Sequence, residues 1–461
     1  MEKVDVLLTK AQILLWYLFP VAILCVALEY CRKAFAGKSR SEANFPNAAS
    51  AEPKEGNDKR HPTAICLQVL LEIDGAGKWP PRASHGKEWP EVLRPYHDIY
   101  LELAPSLQCN ELSSDDEINF ARCLDYRARM TELLHNRVNL ADVEALLSAA
   151  GRADKNALSG DAWNGWGTIP IVRLAQEEQV IDIPAELDVP WAYLKRRYGV
   201  TSQGGNLTSN YLCNFNENNQ IVYPINCGIS SAIKLAEYHF AHVFYVMETQ
   251  ALPIYHLITK SIQQHSIGDR SGLLDSLGQI NILIRQPLKT YYDTMVESNI
   301  SRSVWLHYVQ GFQGWAAGTL DPITGIYTEY DGLSGNQLLF CHIIDAFLGL
   351  DPYLTHENDL RYVPENQRRF RKCVRDHSFR KHAKEYRDKE IEVEMEGIMK
   401  QMRVFRTAHR VRVKPYLDVP APERLIMTAG KSVLEKEDVH DFLAAITPLD
   451  ELLRKRLEET K

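Results

Sequence analysis

A histidine closes an apolar stripe in the C-terminal part of this chain. Ile391, Met395, Ile398, Met402, Phe405 and His409 follow one another at spacings of 4, 3, 4, 3 and 4, the repeat of one face of an α-helix. The spacing predicts a helix over 389–413, closed by Pro415. Arg406 precedes His409 by three residues and shares nearly the same face, whereas Arg403, Arg410 and Arg412 point elsewhere. Two chemistries fit such an imidazole. It can be a half-buried core group with a satisfied hydrogen bond. It can also be the axial ligand of a haem, with the neighbouring methionine and phenylalanine lining the porphyrin and Arg406 meeting a propionate. Periodicity does not choose between them.

Other constellations are weaker. Glu132/His135 and Glu437/His440 carry the Glu-x-x-His spacing of di-iron bundles, but they fall outside the helices that would have to face one another. His239 and His242 share a helix face without a third ligand at suitable spacing, so packing is the better reading. No GxSxG, Walker loop, GxGxxG or HExxH is present. The basic cluster at 368–387 is diluted by Asp, Glu and His, as on a solvated face. The net charge of −7 supplies no global field for nucleic acid. The nine cysteines form no CxxC pair and no zinc-finger spacing. Their odd count and loose spacing fit a reducing compartment.

The elements that must position His409 are helical. The 461 residues, 45% apolar, suffice for a large domain with a smaller companion. Periodic runs predict a helix over 118–150 broken near Asn136, one over 228–265 interrupted near Leu252-Pro253, and one over 273–299 broken at Pro287. A buried helix is expected over 337–350 and a long loop over 311–335. The fold class is mainly α, with a smaller, mostly helical domain at 61–188 and a large all-helical domain at 189–461. Residues 35–60 read as a polar, flexible linker.

Ahead of the linker, residues 1–34 read as a membrane anchor: the run 11–28 is free of charge and just long enough to span a bilayer. Arg32, Lys33, Lys38 and Arg40 follow it, which puts the body on the cytosolic side. A cleaved signal peptide is the alternative, but no small-x-small cleavage site stands at the expected place. The expected location is a single-pass position in the endoplasmic reticulum membrane with a cytosolic body, which leaves the sequon at Asn206 unused.

Several segments carry a family resemblance. Arg403-Val-Phe-Arg406-Thr-Ala-His409, leading to Tyr416-Leu417, resembles the proximal segment of the indoleamine 2,3-dioxygenases. Tyr362-Val-Pro-Glu-Asn-Gln-Arg-Arg-Phe370 is similar to that family's "YMPxxHRxF", with Gln367 at the place of its histidine. Gly332-Leu-Ser334-Gly-Asn-Gln337 resembles the family's distal Gly-Gly-Ser-Ala-Gly-Gln loop, and Ile344-Asp345-Ala-Phe-Leu-Gly-Leu350 its "FDVLLGI". Ile183–Pro190 and Ser231-Ala-Ile-Lys234 match in place, and the blocks keep family order over about 180–435.

The resemblance implies an all-helical haem domain with His409 as proximal iron ligand, Arg406 on the propionate side and Asp345 paired with it. It implies Ser334 and Gly335 facing substrate and oxygen, and a lid near Thr428–Ser432. The implied cofactor is haem b. The implied reaction is dioxygen insertion into an indole or related aromatic, with an electron donor keeping the iron ferrous. A monooxygenase of the same superfamily and a non-catalytic haem-binding or signalling protein are the alternatives.

One departure bears on the substrate. The family's carboxylate-binding arginine aligns with Leu306, and its paired aromatics with Ser301 and Arg302. A leucine cannot form the charged fork that fixes an amino-acid carboxylate. Either Arg302, one turn earlier, is a displaced anchor, or the substrate has no carboxylate.

Overall fold

The computed structural model describes residues 60–82, 89–106, 116–153, 184–202, 206–224, 226–309, 318–320, 323–324, 327–329, 335–381, 383, 388–417 and 458. The expected membrane span, the linker, Ser334 and the expected lid lie outside them. Among the described residues no helix is long and apolar enough to cross a membrane. The chain is mainly helical: α1 (Pro62–Val69), α2 (Arg94–Leu103), α3 (Asp116–Arg137), α4 (Leu140–Ala153), α5 (Ala185–Tyr198), α6 (Ser231–Ser266), α7 (Arg270–Leu283), α8 (Arg285–Thr294), α9 (Leu339–Phe347), α10 (His356–Tyr362), α11 (Glu365–Asp376) and α12 (Lys389–Leu417). Within the expected 311–335 loop, Gly318–Leu320 (β1) and Tyr327–Glu329 (β2) pair antiparallel, Thr319 opposite Thr328.

Among the described residues two apolar cores form, and they do not divide the chain at one point. The smaller core joins Trp89, Leu93 and Tyr100 to Met130, Leu134 and Val143, and takes Leu187, Trp191, Leu194 and Tyr223 from beyond residue 184. The larger core surrounds α6 and includes Leu277, Ile280, Phe340, Ile343, Phe347, Met395, Ile398, Met402 and Phe405. It also takes Leu67, Leu70 and Trp79 from the N-terminal side.

The long helix α6 is the spine of this larger core. Its start is fixed by Ser230, whose side chain accepts from the Ile233 amide. The expected interruption at Pro253 does not occur, and α6 runs unbroken through it. The proline removes one intrahelical hydrogen bond, but Ala251, Ile254, Tyr255 and Ile258 around it are fully buried, and that packing holds the turn. The expected break near Pro287 falls instead at Ile284, between α7 and α8. Pro287 then lies in the first turn of α8, where backbone amides have no helical partner to lose. Helix α12 continues past Pro415 to Leu417 rather than stopping before it.

The segment that carries Arg302 and Leu306 starts as a single α-turn, Arg302–Val304, and continues as a π-helical turn, Trp305–Val309. Single π-turns are rare and concentrate at functional sites.

Buried polar groups tie the core helices together. Glu248, fully buried on α6, accepts from Trp79 Nε1 at 2.8 Å, Tyr255 Oη at 2.6 Å and the Phe340 amide at 2.8 Å. It thereby satisfies one of the unpaired amides at the start of α9. Burial pushes its carboxyl above the usual range, and the three donors oppose that shift.

Candidate functional site

Helix α12 presents His409, Arg406 and Phe405 on the side facing α8 and α9. Tyr292 of α8 donates its hydroxyl to the Phe405 carbonyl at 2.6 Å. That carbonyl is also the helical acceptor for the His409 amide, so Tyr292 grips the turn that carries the imidazole. Tyr291 lies against the imidazole with ring centroids 5.1 Å apart, and the Phe405 ring is 5.9 Å away. The His409 ring makes no hydrogen bond among the described residues, and burial alone pushes its pKa down to about 4. It is therefore neutral at pH 7, with a nitrogen lone pair available to a metal. The residue is only half-buried by accessible surface although it sits deep enough to be strongly desolvated.

Arg406 Nη2 donates to both oxygens of Asp345, at 2.6 Å each. The side chains are 15% and 4% exposed, so this pair joins α12 to α9 in the interior. Burial works against the Arg406 charge, and Asp345 more than restores it, leaving the guanidinium above its ordinary range. Cys341, one turn before Asp345, is pushed up to about 12 by burial and stays a neutral thiol. The other terminal nitrogen, Arg406 Nη1, is buried and has no hydrogen-bond partner among the described residues. A buried, unpaired donor on a charged group is costly, and this one stands one turn from His409.

A second group of residues assembles ten residues before Asp345. A Cβ placed on Gly335 would lie 3.3 Å from Phe244 Cε1, so only a residue without a side chain fits there without displacing that ring. Phe244 stacks on Tyr211 with centroids 6.0 Å apart and meets Phe240 edge-on at 5.4 Å; Phe240 reaches Trp305 at 6.3 Å. Trp305 opens the π-turn that carries Leu306. The structure thus brings Gly335 and the 305–309 segment to one aromatic cluster. Phe244 and Glu248, four residues apart on α6, dock the two ends of the 335–340 segment, from which α9 leads to Asp345.

The remaining expected residues are placed differently. Ser301 caps the short helix, accepting from the Val304 amide at 3.2 Å. Arg302 pairs through Nε with Glu297 Oε2 at 3.1 Å, and its side chain is 40% exposed. In this arrangement its guanidinium is engaged at the surface. Gln337 is buried and accepts from the Leu207 amide at 2.7 Å. His242 stacks between Tyr238 and Tyr245, the packing role expected for it. His135 contacts Glu186 rather than forming a pair with Glu132, and His440 lies outside the described residues. Sequence reasoning missed Tyr291, Tyr292, Phe244 and Glu248. Adjacent tyrosines ending a helix were the one visible signal, and their partner is 113 residues away.

Among the described residues no group of three or more His, Cys, Asp or Glu side chains is placed to hold a bare metal ion. A haem asks for less: one axial imidazole and cationic donors for its propionates. Were a haem bound here, His409 could supply the first, and Arg406 Nη1, without a hydrogen-bond partner among the described residues, the second. The chain matches no family model and no curated protein.

Proposed function

We propose that this chain is a haem-dependent oxygenase resembling the indoleamine 2,3-dioxygenases, with His409 as the axial ligand. The observation that carries the reading is a neutral imidazole one turn from a buried arginine, the imidazole and one arginine terminal nitrogen having no hydrogen bond among the described residues. Haem b, when bound, supplies the iron that activates dioxygen for insertion into an indole or related aromatic ring, with an external electron donor keeping it reduced.

The protein's own residues do the rest. Tyr292 and Tyr291 fix the orientation of the His409 turn. Asp345 holds Arg406 so that Nη1 is presented without side-chain reorganisation, as an outer partner that orients a ligand-binding element. Gly335 lets the 335–340 segment close onto the edge of Phe244, and the Phe244, Phe240 and Trp305 rings form an apolar wall that keeps water away.

The engagement of Arg302 with Glu297 favours a substrate without a carboxylate over a displaced anchor. Ser334, beside Gly335 in the chain, is the polar group proposed to face that substrate. The uncharged run at 11–28 ties the body to a membrane from the cytosolic side, which carbonate extraction and protease protection test.

Hemin added to the purified full chain should give a Soret band that His409→Ala shifts or abolishes in a protein of unchanged helicity. Aerobic turnover with reductant should favour indoles lacking a carboxylate over tryptophan. A folded protein with no Soret band, or with one unaltered by His409→Ala, ends the proposal. A Soret band without turnover of any indole leaves a haem-binding protein that is not an oxygenase.

A further inference from the structure

Away from His409, helices α1 and α11 pack antiparallel, and their contacts keep one register. At one end the His61 and His377 rings meet edge-to-face with centroids 4.7 Å apart. At the other, Asn366 Nδ2 donates to Asp74 Oδ1 at 2.8 Å. Between these two contacts the same register sets Cys66 opposite Cys373, near enough that each thiol shifts the other's titration. Both are free and half-buried, so each is held in place yet open to a small solute.

The hydrogen bonds around the pair give the two sulfurs different roles. His377 Nδ1 lies 2.8 Å from the Cys373 carbonyl oxygen, which can only accept, so Nδ1 carries the proton. That nitrogen, 3.9 Å from Cys373 Sγ, is no acceptor for the thiol. The neighbouring Cys373 thiol draws the Cys66 thiol below its ordinary value against the opposing effect of burial, helped by the Arg369 guanidinium. Cys373 is pushed up by the Cys66 thiol and by burial. His61 and His377, with Lys372 and Asp376 next to Cys373, are the other titratable groups facing the pair.

We propose that Cys66 and Cys373 form a peroxide-reactive dithiol that closes reversibly to a disulfide between α1 and α11. The Cys66 thiolate attacks one peroxide oxygen, the O–O bond breaks, and the thiolate becomes a sulfenic acid while hydroxide leaves. Cys373 sulfur then attacks the Cys66 sulfur, its proton passing to the departing hydroxyl, which leaves as water. Two thiols and one hydrogen peroxide give one disulfide and two waters. A cellular dithiol reductant reopens it, in keeping with the reducing compartment that the cysteine pattern fits. The site is independent of the haem reading.

Hydrogen peroxide, added in small molar excess to the purified full chain, tests this by non-reducing peptide mapping. The first product should be a peptide pair joined through Cys66 and Cys373, two hydrogens lighter than the free peptides and lost on reduction with dithiothreitol. In Cys373→Ser, Cys66 should instead accumulate as a sulfenic acid trapped by dimedone; in Cys66→Ser, Cys373 should stay reduced at the same dose. In the unmodified chain, half-maximal alkylation of Cys66 should fall below the usual thiol value of about 8.5, and should move upward in Cys373→Ser. If other cysteines oxidise while Cys66 and Cys373 stay free, or if Cys66 pairs with a different residue, the proposal fails. The map of the unmodified chain decides this even where a variant does not fold.

Discussion

Replacing Asp345 with leucine and Arg406 with methionine, singly and together, separates a structural ion pair from a cofactor contact. Asp345→Leu alone strands a charged guanidinium in a place where its side chain is 15% exposed. Breaking one half of a buried pair costs about 3–5 kcal/mol. The double variant removes both charges and fills the space with apolar atoms, a swap that is about neutral or mildly stabilising. The stability of the hemin-free protein should therefore drop sharply in the single variant and return in the double.

Hemin affinity should not return with it. Arg406 Nη1, as a charged donor to a propionate, is worth about 1.5–3 kcal/mol, or roughly ten- to hundredfold in Kd. Urea denaturation monitored by circular dichroism reads the first quantity, and Soret titration with hemin the second. A double variant that is stable and binds hemin within twofold of the parent would show that Arg406 serves the fold alone. A stable Asp345→Leu single variant would refute the buried-pair geometry itself.

Three further outcomes are expected. The His409 imidazole takes up its proton at about pH 4 in the folded chain and near 6.5 when unfolded. The unfolded chain thus binds more protons between those values, and stability falls as pH drops from about 6.5 to about 4, by about 3 kcal/mol in total. The stability difference between the parent and His409→Phe should shrink by that amount over this window in urea titrations; a pH-independent difference contradicts the buried, neutral imidazole. Glu248→Gln must leave either the Trp79 indole N–H or the Phe340 amide without an acceptor, whichever way the amide is turned. The urea midpoint should fall by the equivalent of about 1–3 kcal/mol, and an unchanged midpoint would discount this carboxylate as the anchor of α9. Gly335→Ala places a methyl 3.3 Å from Phe244 Cε1, so that ring must shift by a few tenths of an ångström. It should weaken binding of an aromatic substrate more than it lowers the melting temperature, and equal substrate affinity would place the binding cluster elsewhere.

The helices themselves were largely legible, because each reports on itself. The stripe ending at His409 lies on α12, and the break between α3 and α4 falls within three residues of Asn136. Prolines misled: α6 runs through Pro253, where Ala251, Ile254, Tyr255 and Ile258 are fully buried, and α12 extends past Pro415 to Leu417. The pairing of Arg406 with Asp345, present at 2.6 Å, came from the family resemblance and not from periodicity. What no pattern carried were contacts between distant segments. Tyr292 on the Phe405 carbonyl and Glu248 on the Phe340 amide join residues 113 and 92 positions apart. A periodicity reports which face of a helix is apolar and is silent on which helix will cover it.

The way the larger core is stitched has a consequence for how the protein is made. Leu67, Leu70 and Trp79 emerge from the ribosome early, but the surfaces that cover them belong to α6 and α11, which are synthesised much later. Until then the nascent chain carries unsheltered apolar side chains, and partly made chains of this kind aggregate unless chaperones hold them. Translation stalled before α12 would release a chain missing Met395, Ile398, Met402 and Phe405 from that same interior, a product destined for degradation rather than for function.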